Sequence, residues 1–236
     1  MDTIPSALYD IPHLKANIKE LTNKKIYEAL TFNETVVPSA ENKWVEYYPF
    51  LGKINWCVIY SLCHTVTTNS KLRSLQYSIV HRIFCCNYNL YLWKITESSV
   101  CWYCNQVDTL EHYFFYCDQS RDIWKEVEKI VQSALKLKIN FTVLEILLGI
   151  PCSKYTTHHT LNLLMLFTKQ FIYSQKNRGD AMFPTLLFRN LKRKCEIEIF
   201  LLKSNPSTSS NYLEDWERVQ THIMSLVWWL LSMMYW

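Results

Sequence analysis

The stretch Cys101-Trp102-Tyr103-Cys104-Asn105-Gln106-Val107-Asp108-Thr109-Leu110-Glu111-His112-Tyr113-Phe114-Phe115-Tyr116-Cys117 places four metal-ligating residues at the spacing Cys-x2-Cys-x7-His-x4-Cys. Two cysteines separated by two residues let one tight turn present both sulfurs to a single ion. His112 and Cys117 then close a tetrahedron from the start of the next helix or turn. Thiolate and imidazole donors with no spare position for water are the pattern of a closed, structural zinc site rather than a catalytic one. The intervening Asn105 to Glu111 is short and polar, as a knuckle loop requires. The competing reading, scattered core cysteines beside a chance histidine, must produce a Cys-x2-Cys and a His-x4-Cys within a few turns of chain. Zinc held by Cys101, Cys104, His112 and Cys117 is therefore the expectation. Tyr113, Phe114 and Phe115 pack around such a site or stack bases, with packing the commoner fate.

Working outward, the flanks read as helix. Toward the N-terminus, Leu72, Leu75, Ile79 and Ile83 recur at spacings of three and four, with Ser70 as the N-cap. Lys71, His81 and Arg82 fall together on another face of that wheel, read either as solvated or as phosphate-facing. Trp44 to Tyr60 is rich in aromatics and gives no clear element, Thr35 to Asn42 reads as a loop, and a helix is expected from about Leu14 to residue 30. Toward the C-terminus, helices are expected over Asp122 to Lys138, His158 to Lys176 and Pro184 to Lys203. Val143 to Ile150 is a short apolar run, and a last helix starts near Tyr212 after a polar linker. The helix from Pro184 carries a cationic cluster, Arg189, Lys192, Arg193 and Lys194, against Glu196 and Glu198.

Composition narrows the classes. The chain has 236 residues, 49% of them hydrophobic and 15% aromatic, enough to bury a real core. Three glycines are too few for the frequent turns of an all-β protein. The net charge of +4 permits nucleic-acid binding without demanding it. The N-terminus lacks the basic and apolar regions of a signal peptide, so an intracellular location, nucleus or cytoplasm, is expected and the nine cysteines point to metal before disulfide. Cys57, Cys63, Cys85, Cys86, Cys152 and Cys195 read as core filler. Ile223 to Trp236 is uncharged but spans fourteen residues, short of the roughly 20 that cross a bilayer, so a core-docking helix is expected and no membrane partner. No Gly-rich phosphate loop, nucleophile elbow or His-Glu-x-x-His occurs, which disfavours an enzyme with a small-molecule substrate.

Taken together, Lys71-Leu72-x3-Gln76-Tyr77-x-Ile79-x-His81-Arg82-Ile83 with Asn87, Thr67 and the upstream Trp56-x2-Ile59-Tyr60 resemble the helix before the zinc module of non-LTR (LINE-type) retrotransposon polyproteins. Cys101-x2-Cys104, Glu111-His112-x-Phe114-x2-Cys117 and Trp124 are similar to that family's reverse-transcriptase zinc-binding region. Leu147-Leu148-Gly149-Ile150, Asn162-Leu163-Leu164, Lys169, Phe171-Ile172-Tyr173 and Lys176 resemble its C-terminal helical extension. The match runs over about residues 44–203, and the tail after Ser204 has no counterpart in it. The resemblance implies a mainly α fold with a small embedded CCHC zinc knuckle. Its implied divisions are an N-terminal helical segment and loop (1–43), a reverse-transcriptase-type zinc-binding domain (44–138) and a C-terminal helical extension (139–236). It also implies a non-catalytic piece of a polyprotein that engages RNA or DNA through the phosphate backbone. Lys71, His81, Arg82, Arg189, Lys192 and Arg193 are the candidate contacts, and a reverse transcriptase supplied in trans is a candidate partner. The parent polyproteins carry an endonuclease and a polymerase. The Asp-Asp pair a polymerase palm needs for its two metals is absent from this sequence. The rival readings are a zinc-stabilised protein-interaction module and a non-functional retroelement remnant.

Overall fold

Capping side chains fix where four of the helices begin, at Asn55, Asn69, Thr142 and Thr156. The computed structural model describes residue 22, residues 37–205 and residues 210–233, so the helix expected from Leu14 lies outside the described residues. Helix α1, Ser39–Tyr47, follows directly on Pro38. The loop expected from Thr35 to Asn42 is thus corrected: Pro38, with φ at −54°, enters a helix rather than ending one, since the first turn needs no bonded N–H there. Trp44 is fully buried and donates its indole N–H to Val80 O at 2.7 Å. A 3-10 turn, Pro49–Lys53, leads to α2, Trp56–Val66, which the Asn55 side chain caps.

Helix α3, Ser70–Val80, is capped by Asn69, whose Oδ1 accepts from the backbone of Lys71 and Leu72, so Ser70 is its first helical residue rather than its cap. Leu72, Leu75 and Ile79 are buried as expected, but the helix stops before Ile83, which is 46% exposed. His81 is the C-cap and Arg82 takes a left-handed φ of 53°. That turn corrects the sequence reading of one face: Lys71 stands on the helix, whereas His81 and Arg82 lie where the chain has already left it.

A short α4, Asn87–Leu92, precedes the cysteine-rich segment. Helix α5, Asp118–Ile130, then widens into a π-helical stretch, Val131–Leu135, and ends at left-handed Lys136, short of Lys138. The apolar run forms α6, Val143–Leu148, opened by a reciprocal Thr142–Glu145 capping box and closed at Gly149. Helix α7, Thr157–Arg178, is buried on most sides and forms the axis of the molecule. Helices α8, Pro184–Lys203, and α9, Ser210–Met233, form the most extensive helix pair. On α9 the residues docked on the core are Tyr212, Trp216, Val219 and Ile223, all buried, so of the segment expected to dock, Ile223 to Trp236, Ile223 alone is buried among the described side chains. In the uncharged tail, Trp228 and Trp229 instead point to solvent. The fold is mainly α, with no strand among the described residues, and no described helix is long and apolar enough to cross a membrane.

The buried apolar residues on both sides of residue 138 belong to one cluster. Its polar hub is Lys169 on α7, fully enclosed. Lys169 Nζ donates to Gln76 Oε1 at 2.5 Å and to Ile146 O at 2.8 Å, and Gln76 Nε2 donates to Leu147 O at 2.8 Å. Three helices meet at this lysine, which has no salt-bridge partner among the described residues. Burial pushes its ammonium down to about 7. Next to it, Asn162 bonds both the N–H and the C=O of Ile150. A Cβ on Gly149, at φ 87°, would sit 2.5 Å from the Leu62 side chain, so only glycine fits.

Candidate metal centre

Two local turns build the site. Cys101 and Cys104 lie on a tight turn in which Asn105 N donates to Cys101 O at 2.9 Å and Cys101 N to Gln106 O at 2.7 Å. Left-handed Asn105, at φ 61°, reverses the chain, and a single β-bridge between Val100 and Val107 clamps the base. His112 and Cys117 come from a π-helical turn, His112–Tyr116. Five residues of α-helix would leave two side chains about 140° apart around the axis. The wider turn closes a bond from Cys117 N to His112 O at 2.9 Å and swings both ligands to one side. Ser120 Oγ donates to Tyr113 O at 2.8 Å and Trp124 Nε1 to Phe114 O at 2.6 Å, so α5 satisfies carbonyls that the π turn leaves open. The His-x4-Cys spacing was the signal for this π turn, and sequence reasoning did not use it.

The four expected ligands converge. Their donor atoms all lie within 4.8 Å of one another, with Cys101 Sγ 3.9 Å from Cys117 Sγ and Cys104 Sγ 3.2 Å from His112 Nε2. Cys101, His112 and Cys117 are buried and Cys104 is partly exposed. This group could hold a metal ion. The hydrogen bond between the two thiols pulls Cys117 down, while that bond and burial push Cys101 up. Lys176 of α7 is buried beside the cluster, 4.3 Å above the Tyr113 ring and 4.0 Å from Asp108, where its charge favours thiolate. Burial raises the Asp108 carboxyl, with Lys176 acting against it. Tyr113 and Phe114 pack against Phe84 at 4.8 and 4.9 Å, and both are buried.

The other candidate residues separate. Arg82 Nη1 lies 2.7 Å from Glu111 Oε1, with both side chains nearly enclosed, and its guanidinium sits over Trp44 and Tyr47. That contact braces the residue just before His112. His81 stacks against Tyr77 at 4.1 Å and Tyr60 at 5.1 Å, and burial lowers its pKa. Lys71, Arg189 and Arg193 are exposed, and Lys192 lies 3.9 Å from Glu196. Among the remaining cysteines, Cys63, Cys86 and Cys195 are buried, but Cys57 and Cys85 are exposed, so the core-filler reading is corrected for those two. Cys85 is exposed because α3 ends five residues before it. The chain matches no protein-family model and no curated protein.

Proposed function

We propose that Cys101, Cys104, His112 and Cys117 hold one zinc ion as a closed structural knuckle. The wider reading is that the chain is a non-catalytic, nucleic-acid-binding module of the non-LTR reverse-transcriptase kind. The observation that carries the zinc reading is the convergence of a Cys3His donor set on one point. Zinc bonds of about 2.3 Å to sulfur and 2.0 Å to nitrogen imply tetrahedral edges of roughly 3.8 Å between sulfurs and 3.5 Å between sulfur and nitrogen. The 3.9 Å and 3.2 Å separations lie close to those edges. Three thiolates and an imidazole suit zinc over hard cations, which prefer oxygen. Bound there, zinc would supply a fixed tetrahedral tie and nothing to a reaction.

Support for the family reading comes from where its characteristic residues lie. Gln76, Lys169 and the backbone of Leu147 share one hydrogen-bonded hub, Asn162 and Ile150 bond each other beside Gly149, and Trp124 bonds the turn between His112 and Cys117. Residues taken from three separated segments are thus mutual partners, as expected if they form one scaffold. The nucleic-acid reading rests on that resemblance and on the exposed cations of α3 and α8.

Two measurements on the zinc-loaded chain test the proposal. Elemental analysis should find one zinc per chain. Fluorescence anisotropy with a labelled RNA or DNA single strand should give an affinity that falls with salt, with a log–log slope on the order of −2 to −4. Absence of binding at low salt by folded, zinc-loaded protein removes the nucleic-acid reading. One observation favours the interaction-module reading: Ile197, Phe200 and Leu201 of α8 and Trp228 and Trp229 of α9 are all at least half exposed. That reading expects salt-insensitive, negligible nucleic-acid binding and strong sensitivity to changes at those side chains.

A further inference from the structure

Helices α3, α7 and α8 line a long groove on the side of the molecule where Lys71 stands. It has two basins, of about 540 and 400 Å³, that share Gln170 and Tyr173 of α7. Each helix contributes residues at its own period. Lys71, Ser74 and Ser78 come from α3, while Asn190 and Lys194 lie one turn apart on α8. Arg178 adds a third cation at the far end. No Asp or Glu lines either basin among the described residues.

The electrostatics favour an anion. Lys71 lies near enough to Lys194 to oppose its charge; burial is the larger influence on Lys194, and Glu198 one turn on acts in its favour. An anionic chain entering the groove would relieve the opposition between two cations that no lining carboxylate separates. Arg193 adds charge beside this stripe, about 60° around α8 from Asn190. The neutral lining suits a nucleotide chain better than a free anion or an acidic peptide. Hydroxyls and amides can meet sugars and base edges, and the Tyr173 ring, 38% exposed and backed by Phe84 at 5.7 Å, stands where the two basins join. A ring inside a concavity is reached by an unpaired base, not by one stacked in a duplex.

We propose that the α3–α7–α8 groove seats a single nucleic-acid strand, with Tyr173 stacking one base and Lys71, Arg178 and Lys194 meeting phosphates. This inference rests on the nucleic-acid reading above and assigns its surface, in place of the Lys71–His81–Arg82 face and using none of the four candidate metal ligands.

The test uses the zinc-loaded full chain with fluorescein-labelled oligouridylate and oligothymidylate of about 12 nucleotides. Tyr173→Ala should weaken binding by on the order of tenfold, and Tyr173→Phe should restore it, because stacking needs the ring and not the hydroxyl. Lys71→Ala with Lys194→Ala should flatten the salt slope by about 1.4. The exposed cysteines give an independent readout, since Cys85 lines the groove and Cys57 does not. Bound oligonucleotide should slow alkylation of Cys85 and leave Cys57 unchanged. If the parent binds oligonucleotide but the groove variants bind equally well and Cys85 stays reactive, the groove assignment is overturned while the nucleic-acid reading stands. Displacement by polyglutamate without dependence on Tyr173 also overturns it, in favour of a general anion surface. A parent chain that binds no oligonucleotide removes both.

Discussion

The Cys3His cluster ties two neighbouring turns together, and the Lys169 hub ties three helices far apart in sequence, by opposite means. At the cluster, two short turns bring four soft donors to one point. At the hub, a single cation with no counter-ion among the described residues is held by an amide and a carbonyl, midway along α7. On the zinc reading the first arrangement is completed by the ion, because three clustered sulfurs gain little from one another until something bridges them. The second is complete but costly, because the charged form of Lys169 is desolvated without a carboxylate to offset it. One region should therefore respond to chelators and the other to pH.

The largest expected effect separates them first. Removing the metal with a strong chelator, or substituting Cys117→Ser, should lower the melting temperature by on the order of 10–20 °C, given a loss of about 5 kcal/mol in a chain of this size. Chelator should then have no further effect on the Cys117→Ser protein. A parent whose thermal unfolding ignores chelators would erase the contrast.

Next comes the hub. Lys169→Ala should cost about 2–4 kcal/mol, because it opens a cavity and leaves Gln76 Oε1 and Ile146 O without their donor. Zinc content should stay unchanged. Denaturant titration alongside metal analysis checks both parts.

Lys169 should also set a pH dependence. Its folded pKa of about 7 lies below the unfolded value of 10.5. Between those values the unfolded chain binds more protons, so this group makes stability rise as pH increases from about 7 toward 10.5, by at most about 1.4 kcal/mol per unit. Below pH 7 both states are protonated and the burial cost is fully present. Lys169→Met keeps the apolar stem and should flatten the rise between pH 7 and 9 in denaturant midpoints. A parent and variant with parallel pH profiles would show that the lysine is not the titrating group.

A last pair of variants, one expected to destabilise and one expected not to, sharpens the boundary between brace and surface. Arg82→Ala should destabilise by about 2–4 kcal/mol, since it strands Glu111 in a nearly closed site beside His112. Arg82→Lys should recover only part of that, because a lysine cannot reproduce the planar contact with Trp44 and Tyr47. Lys71→Ala should leave stability unchanged and alter only salt-dependent binding. Equal thermal behaviour of the Arg82 and Lys71 variants would contradict the division between them.

What the sequence disclosed follows the range of the interactions involved. The four ligands were legible because ligand type and spacing are local. So were the bounds of α7 and α8, where Gly179 and Pro184 act as punctuation. The end of α3 was not, because apolar spacing continues to Ile83 although the backbone turns at Arg82. Helix α1 was hidden by reading Pro38 as a loop signal rather than a helix start. Pairings across long separations left no local mark: Gln76 with Lys169, Arg82 with Glu111, and Lys176 with Asp108. A lysine in the middle of an all-round apolar helix was the one visible hint of the hub. The groove escaped notice because it exists only once α3, α7 and α8 are side by side.

Zinc K-edge absorption spectroscopy, together with elemental analysis of the purified chain, tests the central claim most directly. The expected result is one zinc per chain bound by three sulfurs at about 2.3 Å and one nitrogen at about 2.0 Å, with one sulfur lost in Cys104→Ser. A folded chain without metal, or a zinc environment dominated by oxygen, would contradict it.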